Sequence, residues 1–389
     1  MLVKQQGHGY GRRHPYLPEQ DVSAISVINF LYIQPDISTN IMAINNTYDF
    51  FIQWHLTERC NLRCRHCYQT GEGLQEMPLS EIKESINEIS DTLTVWKDMY
   101  GMDFSSSFNI TGGEPFLRQD IFEVLAEIQG KGFEIYLLTN GTLINRSRAA
   151  GLAGLGVKGV QISIEGPEKI HDSIRGKNSF KASVNGIRDL LDAGLTVTMN
   201  MTLSALNAEY FPEMFSLSSE LGVQKLGFSR LVPSGMGKTM AKEMLDTDKV
   251  KELYHNIFSM NDRGVEIVTG DPVATQSRIS SVDNNGDVPL SGCAAGISGL
   301  TIMPDGTVLP CRRLPVPIGN IRNDSLRELW AMSKVLNDLR DRSRYKGKCG
   351  NCERWAHCRG CRAIAYAYTG TRGEGDPLAE DPQCFIDHA

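Results

Sequence analysis

No stretch of this 389-residue chain approaches the roughly 20 consecutive apolar residues that a membrane-spanning helix requires. The most apolar part of the N-terminal region, Val22 to Ile33, is broken by Ser23, Ser26 and Asn29 and lacks the small-residue cleavage site of a secretory signal. The sequence therefore predicts no membrane as partner and a cytoplasmic location. An excess of charge of one sign is also missing. With 40 Lys and Arg against 46 Asp and Glu, the formal net charge of -6 gives no general reason to expect nucleic acid as a partner. Nor is apolar material scarce: at 41% hydrophobic residues, the length suffices for two or three domains with a sizeable core. Cysteine, in contrast, is plentiful. A disulfide framework is not expected of ten cysteines in a reducing compartment, so metal binding or catalysis is the better reading of them.

From about Phe50 to Ser229, short β-branched and aromatic runs alternate with helical patterns, the signature of βα units and a parallel sheet. Six strands are expected, at Phe51–Leu56, Ser107–Thr111, Phe133–Leu138, Gly159–Ile164, Thr196–Thr202 and Gln224–Ser229. Between the first two, Ser80 is suited to cap a helix whose Ile82, Ile86, Ile89 and Leu93 recur at helical spacing, with Glu81 favourable in its first turn. Right-handed crossovers curl such strands into a partial (β/α)6 barrel of the TIM type, with a site at the strand C-termini. After about Val268 comes a Gly/Asn/Asp-rich stretch, Ser280 to Gly292, followed by seven of the ten cysteines. The expected division is an N-terminal arm over 1–47, an α/β partial barrel over 48–268, and a small cysteine-rich domain over 269–389.

Directly after the first expected strand lies Cys60-Asn61-Leu62-Arg63-Cys64-Arg65-His66-Cys67, a CxxxCxxC run. Three thiolates can ligate three irons of a cubane cluster and leave the fourth iron open. Spacing alone also admits an incomplete zinc site or buried structural cysteines. Gly112-Gly113-Glu114-Pro115 ends the second strand, Asn140-Gly141 the third, and Ser163-Ile164-Glu165-Gly166 the fourth, with Arg175 following. With the cysteine run, these strand-end motifs resemble the radical S-adenosylmethionine (SAM) superfamily over roughly Phe50 to Ser229. The resemblance implies a [4Fe-4S] cluster on Cys60, Cys64 and Cys67 whose open iron chelates SAM. It further implies that Gly112, Gly113, Glu114 and Pro115 hold the SAM amino group, and that Asn140, Ser163, Glu165 and Arg175 make further SAM contacts. Two glycines would let backbone approach the ligand, and the Glu114 carboxylate would accept from its ammonium.

The C-terminal pattern is Cys293-x12-Gly306-x4-Cys311, then Cys349-x2-Cys352-x5-Cys358-x2-Cys361, then Cys384. Two CxxC pairs admit a four-thiolate zinc site. Beside the upstream motifs, the pattern resembles the SPASM domain, which houses auxiliary iron–sulfur clusters. The x2 spacing before Cys361 is shorter than the common one and occurs in enzymes of pyrroloquinoline quinone and haem-type cofactor biosynthesis. The resemblance implies up to two auxiliary clusters, an inner one on Cys293, Cys311 and Cys361 and an outer one on Cys349, Cys352, Cys358 and Cys384. The inner fourth position is left to a substrate group, water or an acidic side chain such as Asp305 or Asp381. Asp305-Gly306 otherwise reads as a hairpin turn. Arg312 and Arg313 suit a substrate carboxylate, and equally suit support of an anionic cluster or a surface ion pair.

The family chemistry implies reductive cleavage of SAM to a 5′-deoxyadenosyl radical, hydrogen abstraction from a peptide or small-molecule substrate, and a net oxidation. An electron donor such as flavodoxin or ferredoxin is implied. The first expectation is modification of a ribosomally made peptide by crosslinking, dehydrogenation or decarboxylation. Because residues 1–47 look too short for a leader-binding domain, a separate leader-peptide-binding protein is then expected. The alternatives are oxidation of a tetrapyrrole or other cofactor precursor, and a non-enzymatic metal-stabilised binding module.

Overall fold

The computed structural model describes residues 47–71, 73–260, 264–274 and 289–386. The expected arm, apart from Thr47, and most of the Gly/Asn/Asp-rich stretch lie outside them. All six expected strands are present: β1 (Thr47–His55), β2 (Asp103–Thr111), β3 (Glu134–Thr139), β4 (Gly159–Ser163), β5 (Val197–Leu203) and β6 (Lys225–Arg230). They pair in parallel in chain order. Both β1 and β2 begin earlier than expected because Thr47 to Phe50 pair with Asp103 to Ser106. The serine-rich start of β2 carries no strand signal of its own; its partner supplies it.

The sheet does not stop at six strands. β7 (Glu266–Thr269) adds in parallel to β6, and β8 (Gly299–Ile302) adds in parallel on the far side of β1. β9 (Thr307–Leu309) and β10 (Gly319–Asn320) continue antiparallel, giving the order β10-β9-β8-β1-β2-β3-β4-β5-β6-β7. The β8–β9 hairpin turns at Asp305-Gly306: Asp305 accepts from the Thr307 N–H at 3.0 Å, and Gly306 takes a φ of 84°.

Side-chain alternation explains why helices cover one face and a cavity forms on the other. In β5, Val197, Met199, Met201 and Leu203 are buried among helices, whereas Asn200 and Thr202 face the cavity. In β4, Val160 and Ile162 are buried, and Gln161 and Ser163 face the cavity. The Leu79–Tyr100 helix buries the expected stripe of Ile82, Ile86, Ile89 and Leu93, extended by Trp96. Fully burying each of these isoleucines contributes about 1.5–3 kcal/mol. Ser80 is not its cap. The helix starts after Pro78, which has no side chain to cap with; its extended conformation and carbonyl, accepting from the Ile82 N–H at 3.1 Å, set the first turn. Among the described residues, no helix is long and apolar enough to cross a membrane.

Arg230, at the end of β6, ties the sheet to the C-terminal segment. Its guanidinium donates to Asp271 at 2.6 and 3.0 Å, and to Asp381 at 2.9 and 2.8 Å, with all three side chains buried. Burial alone would raise the Asp381 pKa. The Arg230 charge and hydrogen bonds, with donors from the Cys361 and Gln383 backbone, outweigh it and hold the carboxyl below its ordinary range. Asp381→Asn removes one charge from this buried group and turns an amide donor toward existing donors. The expected loss is about 3 kcal/mol, read as a lower melting temperature of the iron-loaded protein.

Candidate active site

The cysteine run follows β1, and its position is set by backbone packed on backbone. The Gly113 N–H donates to the Thr57 carbonyl at 2.7 Å and the Glu114 N–H to that of Arg59 at 2.8 Å. A Cβ on Gly112 would lie 2.5 Å from the Thr57 oxygen, and one on Gly113 would lie 2.6 Å from that of Glu58. The two glycines thus permit a close approach to the chain's own residues 57–59. From the other side, Gly237 N–H donates to Cys67 O at 2.8 Å and Met236 N–H to Gln69 O at 3.1 Å. Gly235, with a φ of 54°, lets this strap lie against Tyr68 and Gln69.

Cys60, Cys64 and Cys67 line a cavity of about 510 Å³, together with Gly112, Gly113, Thr139, Asn140, Gln161, Ser163, Asn200, Thr202 and Arg175. Of the expected SAM-contacting residues, Gly112, Gly113, Asn140, Ser163 and Arg175 therefore face one space. Asn140 Nδ2 donates to Asn61 at 2.9 Å and lies 3.9 Å from Cys60 Sγ. Arg175 lies 3.8 Å from Cys64 Sγ.

Glu114, Pro115 and Glu165 do not face it. The Glu114 carboxylate is fully buried and accepts from Thr139 Oγ1 at 2.8 Å, Asn140 N at 3.0 Å and Phe116 N at 3.2 Å. Burial raises its pKa, and these donors only partly offset that. It is a strap between the ends of β2 and β3 and is not among the residues lining the cavity. Pro115 opens the short 3-10 turn Pro115–Leu117. Glu165 sits behind Arg175, accepting from its Nε at 2.8 Å, from the Thr202 N–H at 2.8 Å, and with His66 Nε2 at 3.3 Å. Burial opposes its charge, yet Arg175 and His66 hold it well below the usual carboxylate range. Its effect on the cavity is to aim Arg175.

The C-terminal thiols form two further groups. Cys349, Cys352, Cys358 and Cys384 line one small cavity with Trp355, Arg359, Gly360 and Ile386. The buried Arg362 guanidinium lies 3.6 Å from Cys349 Sγ and otherwise donates to the carbonyls of Pro377 and Ala379, at 2.9 and 2.7 Å. Cys361 belongs to one apolar cluster with Val232, Ala295 and Leu314, and Cys293 and Cys311 pack against that cluster. Neither acidic candidate is open to that group, because Asp381 is taken by Arg230 and Asp305 by its turn. Three thiols on one wall of a roomy cavity, and four around a small one beside buried cations, are donor sets that can hold iron–sulfur clusters.

Residues 54–218 match the model of the radical SAM superfamily, and residues 293–361 match that of the SPASM iron-sulfur cluster-binding domain. The chain is 32% identical over 350 residues to the AdoMet-dependent heme synthase of Methanosarcina barkeri (strain Fusaro / DSM 804), covering 86% of this chain and 95% of that one. The chain belongs to the radical SAM superfamily. This radical SAM/SPASM enzyme takes SAM, a [4Fe-4S] cluster and auxiliary iron–sulfur clusters as cofactors. It is also 29% identical over 343 residues to the mycofactocin maturase MftC of Mycolicibacterium smegmatis, covering 86% of this chain and 82% of that one. The crystal structure of Streptococcus suis SuiB bound to S-adenosylmethionine superposes with a TM-score of 0.68 at 16% identity, covering 89% of this chain and 80% of that one; the likeness is one of fold.

Sequence reasoning missed the polar strand residues of the radical SAM cavity, Gln161, Asn200 and Thr202, and the Gly235 strap. The first had a signal: a polar residue at every second position of an otherwise apolar strand. The second had only a Gly-Met-Gly after β6.

Two predictions follow from this packing. Gly113→Ala sets a methyl against the backbone of residues 57–59, and an overlap of this kind costs about 1–3 kcal/mol. Iron bound by the first cysteine group should fall in the variant, quantified against the C-terminal iron. Glu114→Gln turns an amide donor toward three existing donors, a loss of about 1–3 kcal/mol. Melting temperature, iron content and SAM affinity should fall together. A loss of SAM affinity at unchanged melting temperature would instead return the carboxylate to SAM.

Proposed function

We propose that this radical SAM/SPASM enzyme oxidises a cofactor precursor of the tetrapyrrole type, with oxidative decarboxylation as its reaction. The observation that carries the reading is the end-to-end correspondence with a heme synthase, which spans 95% of that protein. The Cys358-x2-Cys361 spacing agrees with it. This reverses the order of the two substrates expected from sequence. Peptide modification is the second reading, supported by the 29% identity to the mycofactocin maturase.

In this reading Cys60, Cys64 and Cys67 hold the SAM cluster, and Gly112, Gly113, Asn140, Ser163 and Arg175 surround SAM. Cys293, Cys311 and Cys361 hold an inner auxiliary cluster, and Cys349, Cys352, Cys358 and Cys384 an outer one. When bound, these groups supply the electron that cleaves SAM to a hydrogen-abstracting radical and the acceptor for the electron released by substrate. The chain's own residues orient and enclose. Glu165 fixes Arg175, Glu114 fixes the turn that carries Asn140, and the strap at Gly235 braces the C-terminal end of the cysteine loop. Net, an acid arm of the substrate loses a hydrogen atom, one electron and CO2, leaving a carbon–carbon double bond.

The test is anaerobic turnover of reconstituted protein with dithionite, SAM and either an iron porphyrin with propionate arms or a candidate peptide. Formation of 5′-deoxyadenosine should accompany loss of CO2 and two hydrogens from the porphyrin. Peptide modification with an untouched porphyrin would select the second reading. Replacing Cys60, Cys64 and Cys67 together by Ala should abolish 5′-deoxyadenosine while auxiliary iron is retained. Cys311→Ala should collapse product formation far more than SAM cleavage, measured on the same iron-quantified variant.

A further inference from the structure

Arginines crowd the first cavity, and they differ in what answers their charge. Arg59 pairs with Glu76, Arg175 with Glu165, and Arg230 with Asp271 and Asp381. Arg63 is exposed to solvent. Arg313 has the Cys361 and Cys311 thiols and the Asp271 carboxylate as electrostatic neighbours. Among the described residues, Arg312 pairs with no carboxylate. Its guanidinium stands 5.7 Å from the centre of the Tyr68 ring, and its other electrostatic neighbours are Arg313 and the Cys311 thiol. The Tyr68 hydroxyl is engaged with His55 Nε2 at 3.2 Å. Burial, and then the Arg312 charge, lower the His55 imidazole to about 3, so it is neutral and answers no cation.

Arg312 also has an unmet donor. Its Nε is buried and has no hydrogen-bond partner among the described residues, and the same is true of Arg313 Nε. Both side chains line the cavity that holds the Cys60, Cys64 and Cys67 thiols. A buried charged donor left unpaired is costly, and a planar guanidinium fork held over an aromatic ring is shaped for an anion with two oxygens. The position is therefore prepared for an anionic group that enters with a ligand.

We propose that Arg312, with Arg313 beside it, binds a carboxylate of the substrate and so holds the acid arm in the cavity shared with the first cysteine group. The inference rests on the proposed tetrapyrrole-type substrate and names the contact that recognises it. Recognition is by the carboxylate, not by the macrocycle, so it discriminates the free acid from its ester. Tyr68 packs its ring against the guanidinium.

The experiment is an anaerobic absorbance titration of the iron- and SAM-loaded protein with an iron porphyrin carrying propionate arms and with its methyl ester. The wild-type protein should prefer the acid by about tenfold to a hundredfold, the range of one charged hydrogen-bonded contact. That ratio needs no variant. Arg312→Gln should lose the preference by weakening the acid alone, and Arg312→Lys should restore part of it, a charge without the fork. Wild-type protein that binds acid and ester alike would leave the substrate class standing and overturn the carboxylate subsite. Wild-type protein that binds neither would overturn the proposed substrate, and the subsite with it. SAM affinity falling further than porphyrin affinity in Arg312→Gln would assign the residue to the SAM carboxylate. Iron lost in step with porphyrin affinity would make it a support of the Cys311 thiol. Either result overturns the proposal.

Discussion

Everything at the first site depends on how closely two backbones can pass at the ends of β1 and β2. The strands run parallel in register from Thr47↔Asp103 to His55↔Thr111, so the segments leaving them at the same edge must diverge or interlock. They interlock, through the Gly113 and Glu114 amides and the carbonyls of Thr57 and Arg59. Any side chain at 112 or 113 would wedge them apart. The geometry that places three thiols on one wall is therefore a consequence of two missing methyl groups, and Gly235 repeats the device from the opposite side.

Charge is partitioned as strictly as volume. Buried arginines of the barrel face carboxylates: Arg175 meets Glu165, and Arg230 meets Asp271 and Asp381. Buried arginines of the cysteine-rich segment face carbonyls and sulfur instead. Arg359 donates to the carbonyls of Ala356, Ser291 and Cys293, and Arg362 to those of Pro377 and Ala379 with Cys349 Sγ nearby. A guanidinium buried without a carboxylate is expensive unless another anion is at hand, and thiolate-bound clusters are anions. The distribution of partners thus separates a region organised by side-chain ion pairs from one organised around its metal groups.

Much of this was legible in the sequence because it is written in local pattern. The six strands carry β-branched and aromatic runs, and the Ile82, Ile86, Ile89 and Leu93 stripe has helical period. The four cysteines grouped by spacing and resemblance as the outer set line one cavity. What escaped is what depends on a distant partner. The start of β2 is a strand because β1 lies beside it. Glu114 and Glu165 stand in recognisable motifs, but which way a carboxylate turns is decided by Thr139, Asn140, Arg175 and Thr202, brought in from other strands. Ser80 is a good capping residue two positions too late. The hairpin at Asp305-Gly306 was readable, whereas the addition of β8 to β1 required strand pairing over a sequence separation that no local pattern reports.

The Arg230 clamp also orders events in time. Its first carboxylate, Asp271, follows β7 directly, but Asp381 lies 151 residues beyond Arg230 in the chain. A nascent polypeptide can assemble the parallel strands before that second anion exists, and during the interval the Arg230 guanidinium is balanced by Asp271 alone and lacks the two hydrogen bonds that Asp381 accepts. Cys384 emerges three positions later. One short piece of chain thus supplies both the second carboxylate at the wall of the first cavity and a thiol of the second.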